Sequence, residues 1–313
     1  MARFLLRRAA FVLAVCVGIV FFVFFGMRMA ADARAGRASY RVGPPARYAW
    51  SRTTSYLGGI ARGDWGTIEI RRGRYHRRLS VWNVLLTAYP NSMGLLAVAL
   101  LAAVLVGVPL GIVAARGRES VGSLGLLSIT LLGVSAPTFL VAALIQIAEI
   151  TWYRHTRVRL IPVGGFGWDL HLVVPTAVLA ARPLAHLMRV SYMSFSEVFE
   201  QPYMDTARSK GLTRRLLTRG HAAPNAAIPI LTALGVSLRF ALGSLPVVEY
   251  FVGWPGLGAR LLEAIQANQQ AGVAGLALAL GLTIMGVNLG LDVVYRLIDP
   301  RLAARDVSGG SVR

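Results

Sequence analysis

Between Arg189 and Asn225 the sequence sets the carboxylate of Asp205 close to the bases Arg208, Lys210, Arg214, Arg215 and Arg219. The small residues Ala207 and Gly211 lie among them, and His221 and Pro224 follow. An aspartate there can accept hydrogen bonds that fix a turn. The bases can pair with acidic groups on a partner, or simply face anionic phospholipid. A second set is Arg182 and Arg239, each inside a long apolar stretch, with Glu249 further on. An arginine at mid-bilayer depth costs about 2.5–3.5 kcal/mol, so it faces a cavity or a partner. Two roles are open: lining a passage that attracts carboxylates, or a structural one by snorkelling or pairing with a neighbouring helix. Arg182, close to the end of its stretch, suits the structural role; Arg239 suits both. Glu249 could meet Arg239 only if the chain folded back.

Several chemistries are excluded. Cys16 is the single cysteine, so neither an intrachain disulfide nor a cysteine metal cluster can form. His155, His171, His186 and His221 lack metal-ligand spacing, so no metal site within the chain is expected. A phosphate-binding loop needs Gly-Lys-Ser/Thr, but the only lysine, Lys210, is followed by Gly211. Any ATP hydrolysis must come from another chain. Neither His-Glu-x-x-His nor Gly-x-Ser-x-Gly occurs, which argues against a membrane-embedded hydrolase.

The elements that hold these residues are set by composition. Of 313 residues only 15% are charged, against about 25% in soluble domains. Yet the net charge is +19, almost all of it arginine. A soluble nucleic-acid-binding domain would not be so apolar. The chain reads as an all-α, polytopic integral membrane protein with its excess charge in loops. A bilayer core needs about 20 apolar residues per helix. The uncharged run Ala9–Met27, preceded by Arg3, Arg7 and Arg8, reads as a retained first helix rather than a cleaved signal. The second helix is expected from Ser92 to Ala114 with Pro90 and Asn91 marking its start, and the third from Ser120 to Ala148 around Pro137. The fourth spans Leu172–Met188 despite Pro175, Arg182, Pro183 and His186. The fifth spans Ala226–Val248, and the sixth Ala271–Val294. With the N-terminus inside, and the long first loop set aside, 15 basic residues lie inside against 4 outside. That loop, with 12 arginines from Arg28 to Arg78, is an exception the rule does not explain.

The longest inside loop, about 190–225, reads as two short helices. The first runs from Val190 to Lys210 with Gly211 as its cap. Leu212 and Thr213 look like a staple and N-cap for a second, Arg214 to Gly220, which Pro224 stops. Such a helix–turn–helix is a lever between the fourth and fifth spans, or else an interfacial loop that only touches lipid. Trp254-Pro255-Gly256 reads as a rigid turn before a short amphipathic segment, Leu257 to Gln266.

These residues resemble a known family. Asp205-Thr206-Ala207, Gly211 and His221-Ala222-Ala223-Pro224 stand at the spacing of the EAA motif of bacterial ABC-importer permeases. Ala207, Gly211 and Pro224 match it outright; Asp205 replaces Glu, Thr206 Ala, His221 an aliphatic and Ala223 Leu. The run Tyr203 to Leu212, with His221-Ala222 and Asn225-Ala226, resembles the oligopeptide, dipeptide and nickel permease subfamily, first or B-type subunit. The likeness extends to Arg3-Phe4-Leu5-Leu6-Arg7-Arg8, Gly63-Asp64-x-Gly66 and Pro109-Leu110-Gly111. It continues through Val248-Glu249, Trp254-Pro255-Gly256-Leu257-Gly258 and Asp299-Pro300-Arg301. Two departures stand out. The subfamily's Gly-Asp-Pro after the first helix is absent at Met29-Ala30-Ala31-Asp32, and Arg239 replaces a small residue.

The resemblance implies a permease subunit of an ATP-driven importer in the bacterial cytoplasmic membrane, both termini cytoplasmic. Residues 1–78 would hold the first helix and the Arg-rich outer loop, 79–300 the permease domain and 301–313 a cytoplasmic tail. It implies a homologous second permease, two ABC ATPase subunits or domains that bind ATP and magnesium, and an extracytoplasmic binding protein, beside lipid and without nucleic acid. This chain would hold no cofactor and be no enzyme. The implied cargo is di- or oligopeptides, with nickel or another small solute as alternative. In such permeases the EAA loop is the helix that seats on the ATPase, which here implicates Asp205, Ala207, Arg208, Lys210, Gly211, Arg214, His221 and Pro224. A secondary transporter or channel would instead place acids within the spans, where only Asp292 is found.

Overall fold

A computed structural model describes residues 2–36, 43–72, 75–117 and 137–298, with single positions at 122, 125, 128, 130 and 135. The expected third-helix segment before Pro137 is thus mostly outside the described residues. Asp299-Pro300-Arg301 and the tail also lie outside them. Two compact units form: residues 1–92 with 255–286, and residues 93–254 with 287–313.

In the first unit the uncharged run forms α1 (Ala2–Arg34), and α2 (Gly43–Ile60) packs Ala49 against Val20 and Phe24 of α1. A turn follows at Gly63-Asp64-x-Gly66. There the Asp64 carboxylate accepts the Gly66 N–H at 2.9 Å, and Gly63 and Gly66 take φ of 85° and 76°. Next comes a feature the helical expectation missed, an antiparallel hairpin of β1 (Thr67–Arg72) and β2 (Tyr75–Ser80) with Ile68 opposite Leu79. Gln269 clips β1 in place, giving its side-chain N–H to the Glu69 carbonyl and accepting the Glu69 N–H, both at 2.7 Å. Among the described residues two of the loop's arginines pair with carboxylates: Arg28 with Asp32 at 3.1 Å, and Arg78 with Glu69 at 2.7 Å.

α3 (Val81–Arg116) begins well before Ser92, and Pro90 lies inside it. Proline was expected to mark the helix start, but burial of Val81, Val84, Leu85 and Ala88 with Ile68, Leu257 and Leu276 holds the added turns. The unit is completed by α9 (Leu257–Gln266), matching the segment expected after the Trp-Pro-Gly turn, and by the first part of α10 (Gln270–Ile298).

The second unit holds the rest of α3, then α4 (Thr138–Thr156), which begins directly after Pro137. α5 (Val173–Phe199) follows a 3₁₀ turn at Leu170–Leu172 and carries Pro183. A short helix, α6 (Pro202–Ser209), and a single turn, α7 (Arg214–Leu216), precede a π-helical stretch Leu217–Ala222 and α8 (Ala223–Val252). Its core joins Leu95, Leu96 and Ala99 of α3, Val178 and Leu187 of α5, and Leu242 and Leu245 of α8.

Further boundaries differ from expectation: α4 runs past Ala148 to Thr156, and two others lie around the loop. The fourth helix does not end at Met188 but runs to Phe199, because Ser191, Ser194 and Phe195 beyond Arg189 are still buried. The loop therefore starts at 200, not 190. Pro224 does not stop a helix. The backbone is helical from Arg214 to Val252, since the π turn there absorbs the proline, whose ring and missing N–H would break a regular α-helix. Among the described residues five helical stretches are long and apolar enough to cross a membrane: Ala10–Arg34, Val81–Arg116, Leu170–Phe199, Arg214–Val252 and Gln270–Leu291.

Candidate functional site

Proline creates the loop's first break. Gln201 takes extended backbone (φ −71°, ψ 140°), as a residue before proline prefers, and Pro202 then occupies the first turn of α6. One face of α6 is inward: Met204 and Ala207 are buried with Phe195, Leu217, Ala222 and Ala226. The small side chain of Ala207 thus allows α6 to pack closely within this chain. The opposite face exposes Tyr203, Asp205, Thr206, Arg208 and Ser209. Lys210 caps the helix, and Gly211 turns left-handed at φ 76° with its N–H on the Arg208 carbonyl at 2.9 Å. A Cβ at Gly211 would meet nothing within 4 Å, so glycine is required there by backbone conformation, not by crowding. Thr213 is the N-cap expected, its hydroxyl accepting the Leu216 N–H at 3.4 Å.

Three side chains fasten this loop. The Arg208 guanidinium donates to the Asp205 carboxylate at 2.7 Å and to the Phe199 carbonyl at 3.1 Å, binding α6 to the last residue of α5. Both charged groups are at least half exposed, so the ion pair contributes about 1 kcal/mol at most. Its value is geometric. At the other end, the Asn225 amide donates to the Tyr203 hydroxyl at 3.1 Å and to the His221 carbonyl at 2.8 Å, joining α6 to the start of α8. Arg116, at the end of α3, donates to the Thr218 hydroxyl at 2.8 Å. The Thr218 hydroxyl in turn donates to the Arg214 carbonyl at 2.9 Å. The roles of Arg116, Thr218 and Tyr203 were not foreseen. An amide directly after Pro224, one turn from the His221 carbonyl, was the visible signal for Asn225. Lys210, Arg214, His221 and Pro224 are exposed.

The remaining candidates are dispersed. The Arg182 guanidinium stacks over the Phe240 ring at 5.2 Å, and His186 meets the same ring edge-on. Arg239, mid-way along α8, is exposed and makes no hydrogen bond or ion pair among the described residues. Glu249 is wholly buried, and its backbone carbonyl accepts the Trp254 N–H at 2.8 Å. Trp254 is also wholly buried, with Phe166 and Trp168 edge-on at 4.8 and 5.4 Å. Its part in the signature is thus to pin the 157–169 loop to the end of α8. Gly94 leaves room for the tip of Trp168. In the first unit, the Pro255 carbonyl accepts the Asn91 amide at 3.1 Å, and Gly256 and Gly258 are buried. Gly107 and Gly111, on either side of Pro109, form a close seam with α5. A Cβ would stand 2.7 Å from the Leu184 carbonyl oxygen at the first and 2.5 Å from that of Met188 at the second.

Residues 107–304 match the family described as binding-protein-dependent transport system inner membrane component. The dipeptide transport system permease protein DppB of Escherichia coli is 28% identical, over 96% of this chain and 99% of that one. The oligopeptide transport system permease protein AppB of Bacillus subtilis is 26% identical over the same shares. A crystal structure of an amino acid ABC transporter with histidines overlays at TM-score 0.49 and 16% identity, over 69% of this chain and 94% of that one. The chain belongs to the family of binding-protein-dependent transport system inner membrane components, as a multi-pass permease subunit of an ABC transport system.

Proposed function

We propose that this permease passes di- or oligopeptides handed over by an extracytoplasmic binding protein, and that two ABC ATPase subunits or domains drive it by pressing on α6 and its Gly211 turn. The carrying observation is mechanical. α6 is tied to the end of α5 by Arg208 and to the start of α8 by Tyr203 and Asn225, so a push on its exposed face reaches two spanning helices at once. The peptide cargo is inferred from DppB and AppB, a dipeptide and an oligopeptide permease that align over nearly the whole chain. ATP and magnesium belong on the ATPase subunits, and this chain contributes no catalytic residue.

Arg239 supports a paired arrangement. An exposed guanidinium half-way along a span cannot stay in lipid without a cost of about 2.5–3.5 kcal/mol. A second, homologous permease would cover it or share with it a watery passage, where Arg239 attracts substrate carboxylates. Uptake of acidic peptides should fall more than that of basic ones in Arg239→Ala; an equal loss for both would remove charge selection. The termini and α6 are assigned to the cytoplasmic side of the inner membrane. Cysteines placed singly at Ser209 and Arg77 in a Cys16→Ala chain should label from opposite sides, and labelling from one side would overturn that assignment. Gentle purification should bring down a second permease and two ATPase chains. Uptake by this chain without an ATPase, driven by an ion gradient, would make it a secondary transporter.

A further inference from the structure

A cavity of about 330 Å³ opens beside the clamped loop, and three arginines from three elements line it: Arg116 of α3, Arg208 of α6 and Arg214 of α7. Their charges are unequally used. Arg208 is already paired with Asp205, the carboxylate nearest in sequence. The Arg116 guanidinium gives one N–H to Thr218, a neutral hydroxyl whose proton is committed to a backbone carbonyl, so Thr218 acts as an acceptor that positions the arginine without neutralising it. The Arg214 side chain makes no hydrogen bond or ion pair among the described residues. Among the described residues no carboxylate lines this cavity, Glu200 and Asp205 lining the adjoining one instead, and its apolar wall is made by Phe199, Met204 and Leu217. Its height matters too. Arg116, Phe199 and Arg214 are each the terminal residue of a stretch able to cross a membrane, so the cavity sits where these helices leave the bilayer.

We propose that this cavity binds a phosphate group, with the Arg116 and Arg214 guanidiniums as its principal donors. Guanidinium matches phosphate oxygens with paired N–H donors, and two such groups with little internal neutralisation make a site for an anion. An apolar floor at headgroup depth suits the phosphodiester of an anionic phospholipid, whose glycerol would rest on Phe199 and Leu217. Free phosphate shares the chemistry, and the test separates the two sources. The inference needs neither the peptide cargo nor the ATPase contact, since binding is read without transport.

The full chain, purified with its native partners, is compared with Arg116→Gln/Arg214→Gln and with Arg215→Gln, which removes a neighbouring charge that does not line the cavity. One arm counts phosphatidylglycerol against phosphatidylcholine retained in nanodiscs by native mass spectrometry. The other titrates inorganic phosphate in neutral detergent and follows the thermal midpoint. At least a fivefold loss of phosphatidylglycerol retention in the double variant, with Arg215→Gln unchanged, supports a lipid site. A phosphate-dependent rise in midpoint that the double variant lacks, without lipid preference, supports the site with free phosphate as its occupant. Equal behaviour of wild type and double variant in both arms overturns the proposal. Loss of co-purifying ATPase in the double variant alongside such equality would assign the arginines to an acidic group of the ATPase instead. If Arg116→Gln/Arg214→Gln is recovered unfolded, Arg116→Lys/Arg214→Lys is used. It keeps the charge but not the paired geometry, and unchanged binding in it would equally overturn a guanidinium-built site.

Discussion

At Gly111 on α3 an added Cβ would press to within 2.5 Å of the Met188 carbonyl oxygen and 2.6 Å of the Ser191 Cβ; at Gly211 it would touch nothing within 4 Å. Both glycines belong to stretches that resemble the same permease subfamily, yet they serve opposite ends. Gly111 lets two helices of one chain meet backbone to backbone, the packing that small residues permit in membranes. Gly211 lets the backbone turn left-handed and leaves the space around it empty. The first region is closed by its own chain. The second is held rigidly from beneath, by Arg208 and Asn225, and presents an open outer face. A seam and a socket make different demands on the same residue type, and substitution separates them.

The largest effect is expected at the seam. Gly111→Leu has no room to relax, because two of the three nearest atoms are backbone. Overpacking of this kind costs about 1–3 kcal/mol or more. Membrane levels and the thermal midpoint in detergent should both fall sharply, and near-normal values would mean that α3 and α5 do not meet as described. Gly211→Val should cost less, about 1–2 kcal/mol for a side chain in the left-handed region. Gly211→Asn, which tolerates that region, should recover most of the midpoint; equal losses for Val and Asn would show crowding at 211 after all.

A smaller effect is expected at Thr213. Its hydroxyl caps one N–H over a long 3.4 Å, so Thr213→Ala should lower stability by about 0.5 kcal/mol, the low end for an N-cap. Thr213→Ser should be neutral by the same unfolding measurement.

The smallest effect is a pH dependence in the 157–172 loop. Asp169 accepts the His171 N–H at 2.9 Å and meets its ring nitrogen at 2.7 Å. The backbone N–H of His171 first, then its side chain, hold the carboxyl below its ordinary value of 3.8. A depressed folded value stabilises the folded state above pH 3.8, and the benefit is lost as pH falls through the lower, folded value. The thermal midpoint of wild type should therefore drop slightly more than that of Asp169→Asn between pH 6 and pH 3; parallel curves would show that the contact contributes nothing.

Features set by a few adjacent residues were legible in the sequence. The charge-free run of α1, the Gly211 cap, the Thr213 N-cap and the bounds Leu257–Gln266 all appear where local chemistry puts them. What was not legible depended on distant partners. The fourth helix was read as ending at Met188, with Arg189 opening the loop, but leaving a membrane and ending a helix are separate events, and Phe195 and its neighbours carry α5 onward. Pro90 was read as a helix start, and the burial that overrides it comes from residues as far away as Leu276. Pro224 was read as a stop, and only a π turn, which no residue type announces, lets the chain run through it. The candidate site followed the same rule. The identities of Asp205, Arg208 and Gly211 could be read, whereas the clamp from Arg208 to the Phe199 carbonyl, and the inward turn of Ala207, could not.

The central claim is that the open face around Gly211 carries force from an ATPase to the spanning helices. It is tested most directly by Gly211→Trp in proteoliposomes with the ATPases, the second permease and the binding protein, scoring peptide uptake per ATP hydrolysed. A bulky ring in that empty space should leave the protein in the membrane and ATP hydrolysis running, with uptake per ATP reduced at least tenfold. Normal uptake per ATP in Gly211→Trp would contradict the account.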